Sequence, residues 1–271
     1  MTRRGSARRG AVRILAVPAC AVLLGVAGAP QAVAVPRHNV SSAQVYSGWA
    51  VQAPVIRSTS ATFNVPAVGC TPGAGIGGGL ANMVNTGSAL LNTPGMLASP
   101  VSYLVTQFTQ HVGVWIGLIG GAGLDQTLMQ TGVDASCDPG GPSYGAFFEM
   151  PSLRNQAPPT YWDDPPTKPG DTMRASAVWN GKDSTSMTLT NVTRNWTKTA
   201  TYHMNFTPEL ALAVAESIPY NVPRFGEVRF TEVAADGKPY ERFSRQRQFS
   251  ITPPTITPTP LTRHSFAIVG P

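Results

Sequence analysis

The chain has 271 residues, rich in Gly (27) and Pro (25), and only 13% of its side chains are charged. Its net charge of +6 comes from 20 Lys and Arg against 14 Asp and Glu, yet Arg3, Arg4, Arg8, Arg9 and Arg13 supply five of those positive charges. From residue 35 onward 15 basic residues face 14 acidic ones, so the high pI is no sign of a nucleic-acid partner; four His and no CxxC or HxxxH spacing speak against a metal site.

Residues 1–34 read as a signal peptide. The arginines form a basic leader, and Ala21–Ala27 is an apolar run too short to span a bilayer. Ala32-Val33-Ala34 carries the small-x-small pattern of a cleavage site, with Ala27-Gly28-Ala29 as a rival. Export after cleavage behind Ala34 is expected, with no membrane attachment afterwards. The remainder, residues 35–271, suits one large all-β domain or two small ones. It holds only Cys70 and Cys137, which in an exported protein most simply form one disulfide.

Short runs bounded by turn residues read as strands: 61–65, 173–179, 186–192, 199–204, 226–231 and 265–269. Asn180-Gly181 and Asp236-Gly237 are hairpin signals. Strands at this spacing suggest a sandwich or a barrel. Residues 71–110 break the pattern, being Gly-rich and then sparsely apolar, and read as an insertion with short helices. The GxGxxG match within it, Gly73–Gly78, has no βαβ setting and reads as a loop. Pro253–Pro260 reads as an extended linker before a last strand. The segment 207–216 is ambiguous. Thr207-Pro208 resembles a helix start, whereas Leu210, Leu212 and Val214 alternating with alanines argue for a strand. Four Asn-x-Ser/Thr sequons occur, at Asn39, Asn191, Asn195 and Asn205; they are expected to carry no glycan.

The stretch Met129–Asp134 lies between two apolar strand-like runs, and in an extended chain Gln130 and Asp134 share one face. Several motifs then fall in order. They are Ser47-Gly48-Trp49-Ala50, Phe63-Asn64-Val65-Pro66 with Cys70, Trp115-Ile116-Gly117-Leu118, and Gln130-Thr131-Gly132-Val133-Asp134 with Cys137. After them come Tyr144–Pro151 containing Glu149, Pro169-Gly170-Asp171, and Phe225–Thr231. This ordered set resembles the glutamic peptidases, or eqolisins, and is closest to the bacterial branch of that family.

The resemblance implies a bent, jelly-roll-like sandwich of two antiparallel sheets of about seven strands, with a groove on one face and a Cys70–Cys137 bridge. It also implies a secreted, monomeric endopeptidase that acts on polypeptides at acid pH with no cofactor and no metal. Gln130 would be the catalytic glutamine, with Trp49, Trp115, Asp134 and Glu149 lining or supporting the groove. Ile119 stands where a family Asp would be. The catalytic glutamate is expected at Glu216, within Ala215-Glu216-Ser217-Ile218. A register four residues different would instead put Leu212 at the catalytic position, and Glu209 is a further alternative. Such a pair has a sound chemical basis. A carboxylate can take a proton from the attacking water, and a neutral amide can donate to the oxyanion. The other reading is a β-sandwich that binds peptides or glycans and has lost the chemistry.

Overall fold

The computed structural model describes residues 45–70, 110–121, 126–138, 140–151, 159–162, 164–217, 221–252 and 254–271. The expected leader and residues 71–109 of the expected insertion lie outside the described residues. Two antiparallel seven-stranded sheets make up the fold. Strands β1 (Tyr46–Gln52), β4 (His111–Gly120), β5 (Thr127–Asp138), β6 (Gly141–Glu149), β7 (Thr160–Trp162), β11 (Pro208–Glu216) and β15 (Gln246–Phe249) form the first sheet, in the order β15-β1-β11-β4-β5-β6-β7. The second runs β10 (Trp196–His203), β9 (Ser184–Asn191), β8 (Thr172–Trp179), β2 (Ser58–Asn64), β13 (Glu227–Ala235), with β14 (Lys238–Pro239) and β16 (Phe266–Val269) both paired to β13. Two short strands, β3 (Val68–Gly69) and β12 (Arg224–Phe225), pair with each other. The architecture is therefore the sandwich and not the barrel.

Period-2 alternation explains how the sheets meet. On β4, Val112, Val114, Ile116 and Leu118 enter the shared core; from the second sheet come Phe63, Met173, Leu189 and Phe230. The segment 207–216 is a strand, as its alternation suggests, with Pro208 tolerated as first residue. Its core-facing positions are the small residues Ala211, Ala213 and Ala215, while Leu210, Leu212 and Val214 are buried but lie outside that core cluster, on the opposite face of the sheet.

Turn chemistry fixes the hairpins. Asp236 and Gly237 both have positive φ, 49° and 69°, as a two-residue type I′ connection requires. The Asp236 carboxylate also accepts from the Arg57 and Ser58 amides at 2.7 and 2.9 Å, tying the turn to β2. Asn180 caps the other hairpin by accepting from three successive backbone amides, those of Lys182, Asp183 and Ser184. The Pro-Gly-Asp turn before β8 is locked by Asp171, which is buried and accepts from Arg194 (2.6 Å), Asn191 (2.7 Å) and the Lys168 amide (2.9 Å). Burial alone would raise that carboxyl, but these donors outweigh it and hold it below the usual carboxylate range.

Cys70 and Cys137 are bridged, with Cα atoms 5.5 Å apart and a sequence separation of 67. A loop of that length, left open in the unfolded chain, gives roughly 4 kcal/mol of closure entropy at 25 °C. The Cys70→Ser/Cys137→Ser double variant is expected to lose up to that amount, read from its urea midpoint; an unchanged midpoint would mean the bridge contributes nothing to stability.

Candidate active site

The face of the first sheet turned away from the core carries Trp115, Gln130, Asp134, Glu149 and Glu216. Strand pairing sets them in three rows. Leu212, Gly117, Gln130 and Glu149 lie across β11, β4, β5 and β6 in one row. Val214, Trp115, Gly132 and Phe147 form the next, and Glu216, Gly113, Asp134 and Gly145 the third. Each row sets at least one glycine beside larger side chains, so the big groups lean over glycine floors. Gly132 has no room for anything more: a Cβ there would sit 2.1 Å from the Val114 carbonyl oxygen and 2.6 Å from Trp115 Cβ.

Gln130 is 2% exposed, and its Nε2 donates to Glu149 Oε2, directly opposite on β6. Its Oε1 is buried with no partner among the described residues. Glu149 is pushed up to about 7. Burial is the main cause and the Glu216 charge adds to it; the Gln130 bond works the other way, and Asp134 adds a smaller push upward.

Glu216 shares the face with Gln130 but sits four positions along, in the row of Gly113, which is roughly 13 Å of strand. Its Oε2 accepts from Trp115 Nε1 at 3.0 Å. Trp115 is buried and meets the edge of Tyr46 at 5.7 Å between centroids, and Tyr46 itself pairs with Glu216 across β1 and β11. Tyr46 is raised well above the ordinary phenol range, first by burial and then by the charges of Glu216 and Glu149. Both carboxylates therefore act on the Tyr46 hydroxyl through their charge.

Asp134 bonds His111 Nδ1 at 3.2 Å through Oδ1 and accepts from Ser136 Oγ at 2.6 Å through Oδ2. Burial alone would lower His111; the Asp134 bond and charge, with the Glu216 charge, outweigh it and raise it. Ser217 Oγ donates to the His111 carbonyl at 2.6 Å, joining the ends of β11 and β4. A polar cavity of about 300 Å³ opens beside Asp134, walled by Ser136, Asp138, Ser143, Tyr144 and Tyr161.

The structure thus brings Gln130 together with Glu149, and Glu216 together with Trp115. Leu212 is the β11 residue in Gln130's own row, across Gly117. Trp49 is not on this face. It packs against the inter-sheet core, with its indole N–H on the Thr259 carbonyl at 3.1 Å, because it stands one residue out of phase with Tyr46, Gly48 and Ala50. Glu209 lies on β11 and is exposed. Tyr46, His111 and Tyr161 belong to the site and were not singled out from sequence; their signal was period-2 phase with Glu216 and Asp134. Among the described residues no group of three or more His, Cys, Asp or Glu could hold a metal ion.

A family-level comparison matches residues 44–248, about three quarters of the chain, to the Peptidase A4 family. The chain belongs to that family, the eqolisins. No curated protein sequence matches this Peptidase A4 chain. Among solved structures it is similar to scytalido-glutamic peptidase with a transition state analog inhibitor, at 14% identity and a TM-score of 0.60, covering 84% of this chain and 98% of that one. It is similar also to SCP-B, described as a member of the Eqolisin family of peptidases in a complex with the tripeptide Ala-Ile-His, at 14% identity, TM-score 0.56 and the same two coverages. At these identities the likeness speaks to the fold: the A4 chain shares the sandwich of these peptidases.

Proposed function

We propose that this Peptidase A4 chain is an exported endopeptidase that hydrolyses peptide bonds on the glycine-floored face, with Gln130 and Glu216 as the working pair. The observation that carries this reading is a buried amide, Gln130, between two carboxylates that share one face and feel each other's charge. A substrate carbonyl oxygen accepts from Gln130 Nε2. Ionised Glu216, fixed by Trp115, takes a proton from water as that water attacks the carbonyl carbon. The negative charge that develops on oxygen is met by the amide donor. Glu216 then returns the proton to the leaving nitrogen, the C–N bond breaks, and no covalent enzyme intermediate forms. Glu216 and Gln130 stand in different rows of the same face, so this reading requires the bound peptide group and the attacking water to bridge the distance between them.

Cleavage of an unfolded protein from pH 2 to 9, with pepstatin and EDTA present, tests this. Hydrolysis by the wild type and its loss in Glu216→Gln are the expected results; full activity in Glu216→Gln would remove Glu216 from the mechanism. The intact mass of the secreted protein is expected to match a chain that begins at Val35, and a mass that includes residues 30–34 would move the cleavage site upstream.

One observation favours a second reading. Leu212, an apolar side chain, occupies the row of Gln130 on β11. If no carboxylate reaches the scissile bond, the face binds extended peptides without cutting them. Saturable peptide binding in a folded wild type that shows no hydrolysis at any pH would establish that reading.

A further inference from the structure

Gln130 is held in an arrangement that leaves half of its amide without a hydrogen-bond partner. One N–H of its donor end is held by Glu149, while its acceptor end, Oε1, is buried with no partner among the described residues. Gly117 stands beside it on β4 and Leu212 lies beyond, and neither side chain offers a hydrogen to Oε1. A substrate carbonyl arriving at that end would meet an acceptor, and the developing oxyanion would be repelled. The amide presents both N–H groups to an oxyanion, and keeps its acceptor away, only when turned over, with Nε2 toward the substrate and Oε1 toward Glu149. That turned arrangement requires a hydrogen on the Glu149 carboxyl.

We propose that the proton on Glu149 decides which end of the Gln130 amide faces the substrate, making Glu149 the positioning residue that switches the oxyanion donor on and off. This rests on the hydrolase reading above. With Glu149 protonated, its O–H donates to Gln130 Oε1, the orphan acceptor is satisfied, and both N–H groups of Nε2 are released. With Glu149 ionised, the carboxylate captures Nε2 and the acceptor end is presented instead. Proton and hydrogen bonds balance on both sides: one proton lost from Glu149 exchanges an O–H donor for an N–H donor across the same contact.

The surroundings favour the proton. The groups that act on Glu149 or feel its charge are Asp134 on β5, Glu216 on β11, Tyr46 on β1, Tyr161 on β7 and Tyr202 on β10, all of which are neutral or negative. His111, on the same face, is bound to Asp134 instead. These neighbours and burial put the changeover at about 7, so the amide is set for oxyanion binding in acid and turned away above neutrality.

The test compares hydrolysis from pH 4 to 9 by wild type, Glu149→Gln and Glu149→Leu, and follows the side-chain amide resonances of Gln130 in ¹⁵N-labelled protein over the same range. Wild-type hydrolysis is expected to fall about tenfold per pH unit above the changeover, as a single ionisation requires. Glu149→Gln, which can donate to Oε1 at every pH, is expected to remove that fall, so that it exceeds the wild type about tenfold at pH 8. Glu149→Leu, which can neither donate nor accept, is expected to be slow throughout. The Gln130 amide resonances should titrate near pH 7 in the wild type and be flat in Glu149→Gln. Loss of hydrolysis at every pH in Glu149→Gln would overturn the proposal, because Glu149 would then itself move the reacting proton. Gln130 resonances that do not titrate in the wild type would overturn it too. Absence of hydrolysis in all three proteins would sink the hydrolase reading, and the resonance titration would still decide the orientation of the amide.

Discussion

Gln130→Ala is expected to lower kcat on protein substrates by two to three orders of magnitude while leaving KM nearly unchanged. A single oxyanion donor in a dry site is worth roughly 3–4 kcal/mol in the transition state, and Gln130 is 2% exposed. The donor acts most strongly on the charge that develops as water attacks, so its loss is felt far more in the transition state than in the ground-state complex. Gln130→Asn is a stringent companion. It keeps the amide but withdraws it by about 1.5 Å, enough to break a hydrogen bond that needs roughly 2.7–3.1 Å. Both variants should retain the wild-type fold, because Gln130 lies outside the inter-sheet core and its backbone pairs on both sides are untouched. Steady-state kinetics at acid pH decide the matter: equal kcat for wild type and Gln130→Ala would mean the oxyanion is held by another group.

The second large effect concerns stability. Gly132→Ala is expected to cost at least about 3 kcal/mol, at the upper end of what overpacking does in a tight interior. The added methyl would meet the Val114 carbonyl oxygen at 2.1 Å and Trp115 Cα at 2.7 Å. Two of the three nearest atoms belong to the β4 backbone, so no side-chain rotation relieves the clash and β4 must move away from β5. That movement would also carry off Trp115 and loosen its hold on Glu216. Gly226→Ala is the control, since a Cβ there meets nothing within 4 Å, and it should change stability by less than about 0.5 kcal/mol. Urea midpoints measured side by side give the answer; a Gly132→Ala protein as stable as the control would mean the two strands are not packed as closely as described.

How much of this was legible depended on how far along the chain each contact reaches. The hairpins at Asn180-Gly181 and Asp236-Gly237 were readable because the turn and both strands lie together, and the residues that need positive φ announce themselves. The alternation of Leu210, Leu212 and Val214 with alanines argued for a strand against the helix-start signal of Thr207-Pro208, and the structure bears the strand out, with Glu216 on the face opposite Ala215. The Gln130–Glu149 contact was within reach of the same reasoning. From the pair Asp138 and Gly141, counting eight residues away from it along each strand places Gln130 opposite Glu149. The partner of Glu216 was not within reach. It depends on pairing β11 with β4, elements 101 residues apart at the Trp115–Glu216 bond, and on a register shift between Pro208 and Leu210. A shift of four positions keeps every side chain on its face and is invisible in the local pattern, yet it decides whether Leu212 or Glu216 stands in Gln130's row. Trp49 shows the same limit at short range: the Ser-Gly-Trp-Ala motif marks the strand, but only the pairing of Tyr46 with Glu216 tells which side is which.

The division of β11 into alanines inward and larger residues outward separates what this strand contributes to folding from what it can do chemically. A substitution at 212 or 214 changes the reactive face without opening a hole between the sheets, because the core contact there is made by Ala211, Ala213 and Ala215. A slip of one residue, by contrast, would force leucines into space shaped for methyl groups and drive Glu216 inward, so the packing itself rejects the wrong phase. Lineages built on this scaffold can therefore gain, lose or relocate a carboxylate on β11 while the sandwich stays intact, and the distance between a cutting member and a merely holding one is a single side chain.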